Sequence, residues 1–192
     1  MSFTESGIHV LDVGCGAGRS TYQFAKNYPN SQVYGLDFSQ DAFAQTEQAA
    51  SDAGINNLHF VIRDASQMDP KWNNKFDYIF INDALHDQAY PDRVLNEIHR
   101  VMKPDGILSV VEPDSHTKHS DNMKNGTGAS MMYVISMMNC TPVSLNFEGG
   151  MGLGAMWGRE RAVEFLLEHG FNAEIKGNIP GGVSVHYLCK KK

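Results

Sequence analysis

The chain has 192 residues, of which 42% are hydrophobic and 20% charged, with a formal net charge of −6 at pH 7. This composition is typical of a globular protein, and the lack of any block of basic residues argues against a nucleic-acid partner. No apolar run reaches the roughly eighteen residues of a membrane span, and the N-terminus lacks a secretory signal pattern, so a cytoplasmic protein is predicted. The three cysteines lie far apart, which fits a reducing compartment.

Strand-like and helix-like segments alternate along the first part of the chain. The predicted strands cover residues 8–13, 32–37, 58–63, 76–82 and 107–112. The predicted helices cover residues 19–27, 40–53 and 91–102. Regular alternation predicts an α/β domain with a mostly parallel sheet and helices on both faces.

The last third of the chain breaks this alternation. Residues 113–157 are too long for an ordinary loop, and a helix at 159–168 and strands near 172–176 and 184–189 follow. We therefore predict a single domain, 1–192, in which 113–157 is an insertion on the substrate side. Apolar residues between Met131 and Met138 predict a helix in it. This helix can be buried at the sheet edge, form an adaptable lid over an acceptor, or do both at once.

A glycine-rich turn follows the first predicted strand, in the stretch HVLDVGCGAGRST at residues 9–21. Gly14, Gly16 and Gly18 allow a tight turn and close approach of a ligand to the backbone. A dinucleotide site needs G-x-G-x-x-G, but Arg19 stands where the third glycine would be, which disfavours a nicotinamide-dependent oxidoreductase. With Asp12 the pattern is D-x-G-x-G-x-G, which resembles the first motif of class I S-adenosylmethionine (SAM) methyltransferases.

Acidic residues follow the next two strands in the places where this resemblance implies contacts with the adenosyl group. Asp37 ends the second strand and can accept hydrogen bonds from both ribose hydroxyls, although an acid there can also favour the next helix dipole. Phe38 can lie against the adenine face. Asp64 and Ala65, after the third strand, are predicted to contact the adenine amino group; the alternative is a solvent-exposed acid.

The fourth strand opens into Asn82, Asp83 and His86, in FDYIFINDALHD at residues 76–87. We predict that Asn82 and Asp83 bind the cofactor. His86 is the predicted catalytic residue, as a base or as a group that orients the acceptor, and a structural histidine is the alternative. No metal site is predicted, because His116 and His119 lack further ligands at suitable spacing.

A narrower resemblance involves ISMMNCTPVSLNFEGGMGLGAMWG at residues 135–158 and HDQAYP at residues 86–91. Both segments resemble the corresponding segments of a family of bacterial and invertebrate SAM-dependent methyltransferases. Members of that family carry an N-terminal winged-helix domain, which is missing from this sequence. The resemblance implies a Rossmann-like, seven-stranded fold with an insertion after strand 5. It also implies SAM as cofactor, methyl transfer to a small or medium acceptor, and an oligomer as a possible state. The alternative is a SAM-binding module without catalysis.

Overall fold

The computed structural model describes residues 6–39, 41–125, 127–178 and 183–192. Within these ranges, seven strands form one sheet in the order β3-β2-β1-β4-β5-β7-β6. The strands are β1 His9–Val13, β2 Gln32–Asp37, β3 Leu58–Ile62, β4 Phe76–Asn82, β5 Met102–Pro113, β6 Phe171–Asn178 and β7 Ser184–Lys191. β1 to β5 pair in parallel, and β7 is antiparallel to both β5 and β6. The predicted seven-stranded, mostly parallel α/β fold is confirmed.

Helices connect these strands and fill the insertion. They are α1 Arg19–Asn27, α2 Ala44–Asp52, α3 Pro91–Val101, α4 His119–Asn122, α5 Thr127–Ile135, α6 Thr141–Leu145 and α7 Arg159–Glu168. Short 3₁₀ turns occur at Ala65–Gln67, Pro70–Trp72 and Met123–Asn125, and a π-helical turn at Ser136–Cys140 joins α5 to α6. Across the described ranges, no helix has both the length and the apolar character that a membrane span requires.

The central strand β1 is buried on both faces. Val10 packs with Ala25 and Val33, whereas Leu11 and Val13 belong to the larger cluster on the other side of the sheet. Because neighbouring residues of a strand point to opposite faces, this division shows that helices cover the sheet on both sides. The continuous apolar run of the first strand is therefore explained by its double burial.

The start of β5 differs from the prediction. Phe76 pairs with Met102 and Tyr78 with Ile107, so two residues along β4 correspond to five along β5. The extra residues bulge out of the ladder and contain the turn-forming sequence Pro104-Asp105-Gly106. The regular strand begins at Ile107, as predicted.

The apolar helix of the insertion is not buried, which corrects one of its two predicted roles. Met137 and Met138 are 68% and 74% exposed, and Met131, Val134 and Ile135 are also exposed. The segment carries no charged residue between Lys124 and Glu148, so its sequence resembles that of a buried helix. The π-helical turn changes the helical phase here, and only Ser136 and Cys140 of that turn are buried.

Candidate active site

The glycine turn joins β1 to α1 at the carboxyl edge of the sheet. Gly14, Gly16 and Gly18 all have positive φ values, of 68°, 50° and 69°. A Cβ atom on Gly18 would lie 2.4 Å from the ring of Phe60, whereas one on Gly16 would meet nothing within 4 Å. The turn therefore requires glycine at position 16 for its backbone angles alone, and at position 18 for packing as well.

Asp12, near the end of β1, bonds to α1 behind this turn and is not among the residues that line the cavity described below. Its side chain is buried, and Oδ2 accepts a hydrogen bond of 2.6 Å from the hydroxyl of Thr21 on α1. Burial raises the pKa of Asp12 to about 7; the bond from Thr21 opposes this rise and the charge of Asp37 adds to it. Asp12 thus holds the first strand and helix together. Its predicted direct contact with a cofactor is not favoured by this geometry.

Asp37 ends β2 beside the glycine turn. Its Oδ2 accepts a hydrogen bond of 2.8 Å from the backbone N–H of Gly16, and its Oδ1 accepts one of 2.9 Å from Ser39. Two backbone donors fix the carboxylate, and each oxygen keeps a lone pair for a further donor. Gly16 therefore acts through its N–H, by orienting Asp37.

A cavity of about 340 Å³ opens at the carboxyl ends of β1 to β4. β1 and β4 are neighbours at the point where the strand order reverses, which is where open α/β sheets bind ligands. The predicted residues that line the cavity are Gly14, Asp37, Phe38, Asp64, Ala65 and Asp83. The predicted residues outside its lining are Asp12, Gly16, Gly18, Asn82 and His86. The acids predicted at three strand ends therefore share one site.

Ser66 is a cavity residue that the sequence analysis missed. Asp64 caps the 3₁₀ turn Ala65–Gln67 by accepting a hydrogen bond of 2.8 Å from the N–H of Ser66. Ser66 also lines the cavity, and its hydroxyl is buried without a hydrogen-bond partner. A buried hydroxyl without a partner costs free energy, so a polar ligand group fits this wall of the cavity.

Another part of the cavity lining comes from the insertion and from the loop before α3. Tyr90, Val143 and Phe147 line the cavity there, and none of them was predicted. The hydroxyl of Ser144 donates a hydrogen bond of 2.9 Å to the carbonyl of Gln88, which ties the insertion to that loop. Tyr90 donates a hydrogen bond of 2.7 Å to the carbonyl of Glu148. The lining therefore combines acidic residues from the strand ends with apolar residues from the insertion.

His86 lies behind this cavity and is only 2% exposed. Its Nδ1 lies 2.6 Å from Oε2 of Glu112, a fully buried carboxylate on β5, and its Nε2 lies 3.2 Å from Oδ1 of Asp87. Burial lowers the pKa of His86, but the bond to Glu112 and the negative charges nearby outweigh it, so the net pKa is raised. These contacts favour the structural alternative for His86. Direct catalysis by its ring stays a prediction.

The sheet order, the antiparallel β7 and a cavity between a glycine turn and strand-end acids define a class I methyltransferase domain. Residues 4–160 match the family described as Methyltransferase domain, and the chain belongs to that family. The predicted family and fold are thus confirmed. The named relatives agree with the predicted class of enzyme.

Several curated relatives have the name demethylmenaquinone methyltransferase. That of Geobacillus stearothermophilus is 36% identical over 59% of this chain, and this match spans 48% of the relative, about half of its length. That of Listeria monocytogenes is 28% identical over 98% of this chain and 80% of the relative.

Solved structures share the fold. A SAM-dependent methyltransferase of Methanosarcina mazei superposes with a TM-score of 0.70 at 20% identity, over 98% of this chain and 94% of that one. The [4+2]-cyclase SpnF has a TM-score of 0.65 at 27% identity, over 88% of this chain and 54% of the cyclase. Proteins of this fold therefore include a cyclase as well as methyltransferases.

Proposed function

We propose that this protein is a cytoplasmic SAM-dependent methyltransferase for a small or medium acceptor. The observation that carries the proposal is Asp37: a carboxylate fixed by two backbone N–H groups at the end of β2, facing a cavity beside a glycine turn. A carboxylate held in this way is preorganised to accept hydrogen bonds from a ribose diol.

The residues of the cavity fit an adenosyl group. Asp37 would accept from the ribose hydroxyls, and Phe38, whose side chain is 68% exposed, offers a face for the adenine. Asp64 and the unpartnered hydroxyl of Ser66 would bind polar atoms of the base. Gly14 lines the cavity without a side chain, and a Cβ there would approach Ala84 to 3.0 Å. When bound, SAM supplies an activated methyl group.

The remaining task of the chain is to position the acceptor and exclude water, because displacement at a sulfonium needs no acid for its neutral leaving group. We assign this task to the insertion 113–157, as a substrate-side lid, since Val143 and Phe147 from it line the cavity. Relatives with the name demethylmenaquinone methyltransferase make a demethylated naphthoquinone the first acceptor to test.

Calorimetry with SAM and S-adenosylhomocysteine (SAH) tests the binding half of the proposal. Asp37→Ala should weaken binding by about 1.5–3 kcal/mol, or about 10- to 150-fold, the value of a hydrogen bond to a charged group. Asp105→Ala is the matched control, because Asp105 is an exposed acid in the β5 bulge, at the opposite end of the parallel strands. Equal affinity of Asp37→Ala and the wild type would remove Asp37 from the site.

Turnover separates methyl transfer from the second candidate, a SAM-binding protein without methyl transfer. The similarity of the fold to that of a [4+2]-cyclase supports this second candidate, because a protein of this fold has a name other than methyltransferase. An acceptor panel with radiolabelled SAM, starting from naphthoquinones and extending to phenols, amines and thiols, should give a labelled product. SAM binding with no product across the panel would favour the second candidate.

A further inference from the structure

Three potential metal ligands meet behind the cavity wall. His86 and Asp87 follow β4, and Cys140 ends the π-helical turn of the insertion. One ligand atom from each, an imidazole nitrogen, a carboxylate oxygen and a thiol sulfur, lies within 4.8 Å of the others. His86 and Cys140 are buried, whereas Asp87 lines the cavity.

Glu112 orients the histidine of this group. Its carboxylate also accepts hydrogen bonds from the backbone N–H of Leu85, at 3.1 Å, and from Nε1 of Trp157, at 3.2 Å. Because these partners are donors, Nδ1 of His86 donates to Glu112 as well, at 2.6 Å. In the neutral ring, Nε2 on the other side carries the lone pair that a metal ion would bind in place of a proton. A carboxylate behind a histidine is the usual outer partner of a metal ligand.

The contact between His86 and Asp87 has the geometry of two ligands of one ion. Oδ1 of Asp87 is buried and forms no hydrogen bond, although Nε2 of His86 lies only 3.2 Å from it. Ligands with bonds of about 2.0–2.1 Å to a tetrahedral Zn²⁺ are separated by about 3.3 Å. A shared cation would satisfy this oxygen in place of the ion pair that it forms with a protonated His86.

The local charge also favours a cation. The charges that act most on the ring of His86 are those of Glu112, Asp87 and Asp83, and all three are negative. Glu112 is fully buried, so its charge is poorly screened by water. A divalent ion would compensate this excess of negative charge.

We propose that His86 Nε2, Asp87 Oδ1 and Cys140 Sγ bind a divalent transition metal, with zinc as the best match to a nitrogen, oxygen and sulfur donor set. Three protein ligands leave a fourth position for water. This proposal replaces the sequence-based expectation of no metal site. It is independent of the proposed methyl transfer, because it concerns only occupancy by a metal.

Metal titration of the 192-residue chain tests the proposal. After removal of metals with a chelator under reducing conditions, the wild type should bind one Zn²⁺ per chain in calorimetry. Bound Co²⁺ should give a thiolate-to-cobalt charge-transfer band together with the visible bands of a tetrahedral ion. Asp87→Asn should weaken Zn²⁺ binding by at least about tenfold, and Cys140→Ala should abolish the charge-transfer band.

Cys189→Ala and Cys15→Ala are the matched controls, and each should keep the cobalt band because these thiols belong to other parts of the fold. Circular dichroism checks the fold of every variant. If a variant does not fold, the wild-type stoichiometry and cobalt spectrum still decide. Three results would each overturn the proposal. The wild type could show no saturable metal binding, or its cobalt spectrum could lack the thiolate band. Alternatively, the folded variants Asp87→Asn and Cys140→Ala could bind Zn²⁺ as tightly as the wild type.

Discussion

Asp12 and Asp37 are separated by one glycine turn, yet their environments are opposite. Asp37 faces the cavity with two backbone donors, whereas Asp12 is buried with the hydroxyl of Thr21 as its partner. Burial penalises the charged form, and a single neutral donor compensates only part of this cost. Asp37 is thus placed for the proposed contact with a ligand, whereas Asp12 makes a structural contact.

The raised pKa of Asp12 predicts a pH dependence of stability. The folded state holds this proton up to a pH of about 7, whereas the ordinary value for an aspartate is 3.8. The contribution of Asp12 to stability is therefore largest below pH 3.8, falls as the pH rises toward 7, and is constant above that. Asp12→Asn removes this dependence, so stability relative to the wild type should rise between pH 4 and 8, by up to about 4 kcal/mol.

Urea unfolding of both proteins at pH 4, 6 and 8, without ligand, measures this difference. Asp105→Asn serves as the control, since Asp105 is exposed and its substitution should leave the pH dependence of the wild type unchanged. A difference between Asp12→Asn and wild type that is the same at every pH would contradict the assigned burial effect.

Ser66 gives a prediction with opposite signs in two measurements. Its hydroxyl is buried and unpartnered in the protein alone, so Ser66→Ala should leave the free energy of unfolding equal or slightly increased. If a ligand partners the hydroxyl, the same variant should bind SAH about 2- to 12-fold more weakly, for a loss of about 0.5–1.5 kcal/mol. Ser51→Ala, on the exposed side of α2, is the control. Unchanged SAH affinity would show that Ser66 lies outside the contact.

At the scale of elements, the turn between β1 and α1 links the sheet to the cavity. Its N–H groups bond to the β2 end: Gly14 and Cys15 donate to the carbonyl of Leu36, and Gly16 donates to Asp37. The turn is therefore held by β2 as well as by its own chain. The insertion is tied to the loop before α3 in a similar way, through Ser144.

Two glycines of the turn form a matched pair for substitution. Gly18→Ala should destabilise the protein by about 2–5 kcal/mol, because the positive φ is unfavourable and the new methyl would meet Phe60 at 2.4 Å. The ring of Phe60 stacks on Phe43 with 4.4 Å between centroids, which limits its movement. Gly16→Ala has open space and should lose only about 1–2 kcal/mol.

Chemical unfolding of both glycine variants without ligand compares these losses directly. A loss in Gly18→Ala no larger than that in Gly16→Ala would mean that the contact with Phe60 relaxes freely. Backbone conformation alone would then explain why glycine occupies position 18.

At the scale of the whole molecule, a ligand bridging the ends of β1, β2 and β3 couples to global unfolding. Binding to the folded state alone stabilises it by about 2.7 kcal/mol at a ligand concentration 100 times Kd. For a chain of this length, SAH at that concentration should raise Tm by roughly 5–11 °C, whereas NAD should leave Tm unchanged. Thermal unfolding followed by circular dichroism measures both. A similar rise in Tm with NAD would contradict the assignment of the cavity to SAM and SAH.

Much of the fold and one wall of the cavity could be predicted from local sequence. Strand ends, the glycine turn and the acids at Asp37 and Asp64 follow from hydrophobic runs and their stops, because parallel strands bring their carboxyl ends to one edge. The insertion was predicted to lie on the substrate side, but the individual residues by which it lines the cavity could not be predicted. Val143 and Phe147 lie in an uncharged segment whose composition resembles that of a buried helix, and its exposure depends on packing between distant elements.

The sequence by itself determined the α/β alternation, the position of the glycine turn and the family to which the chain belongs. Only the tertiary structure decided that His86 pairs with Glu112, 26 residues away, and meets Asp87 and Cys140 behind the cavity. The physical reason is the range of the interactions. Backbone propensities and hydrophobic periodicity act over a few residues, whereas the partner of a buried polar atom is set by which strands and insertions the chain brings together.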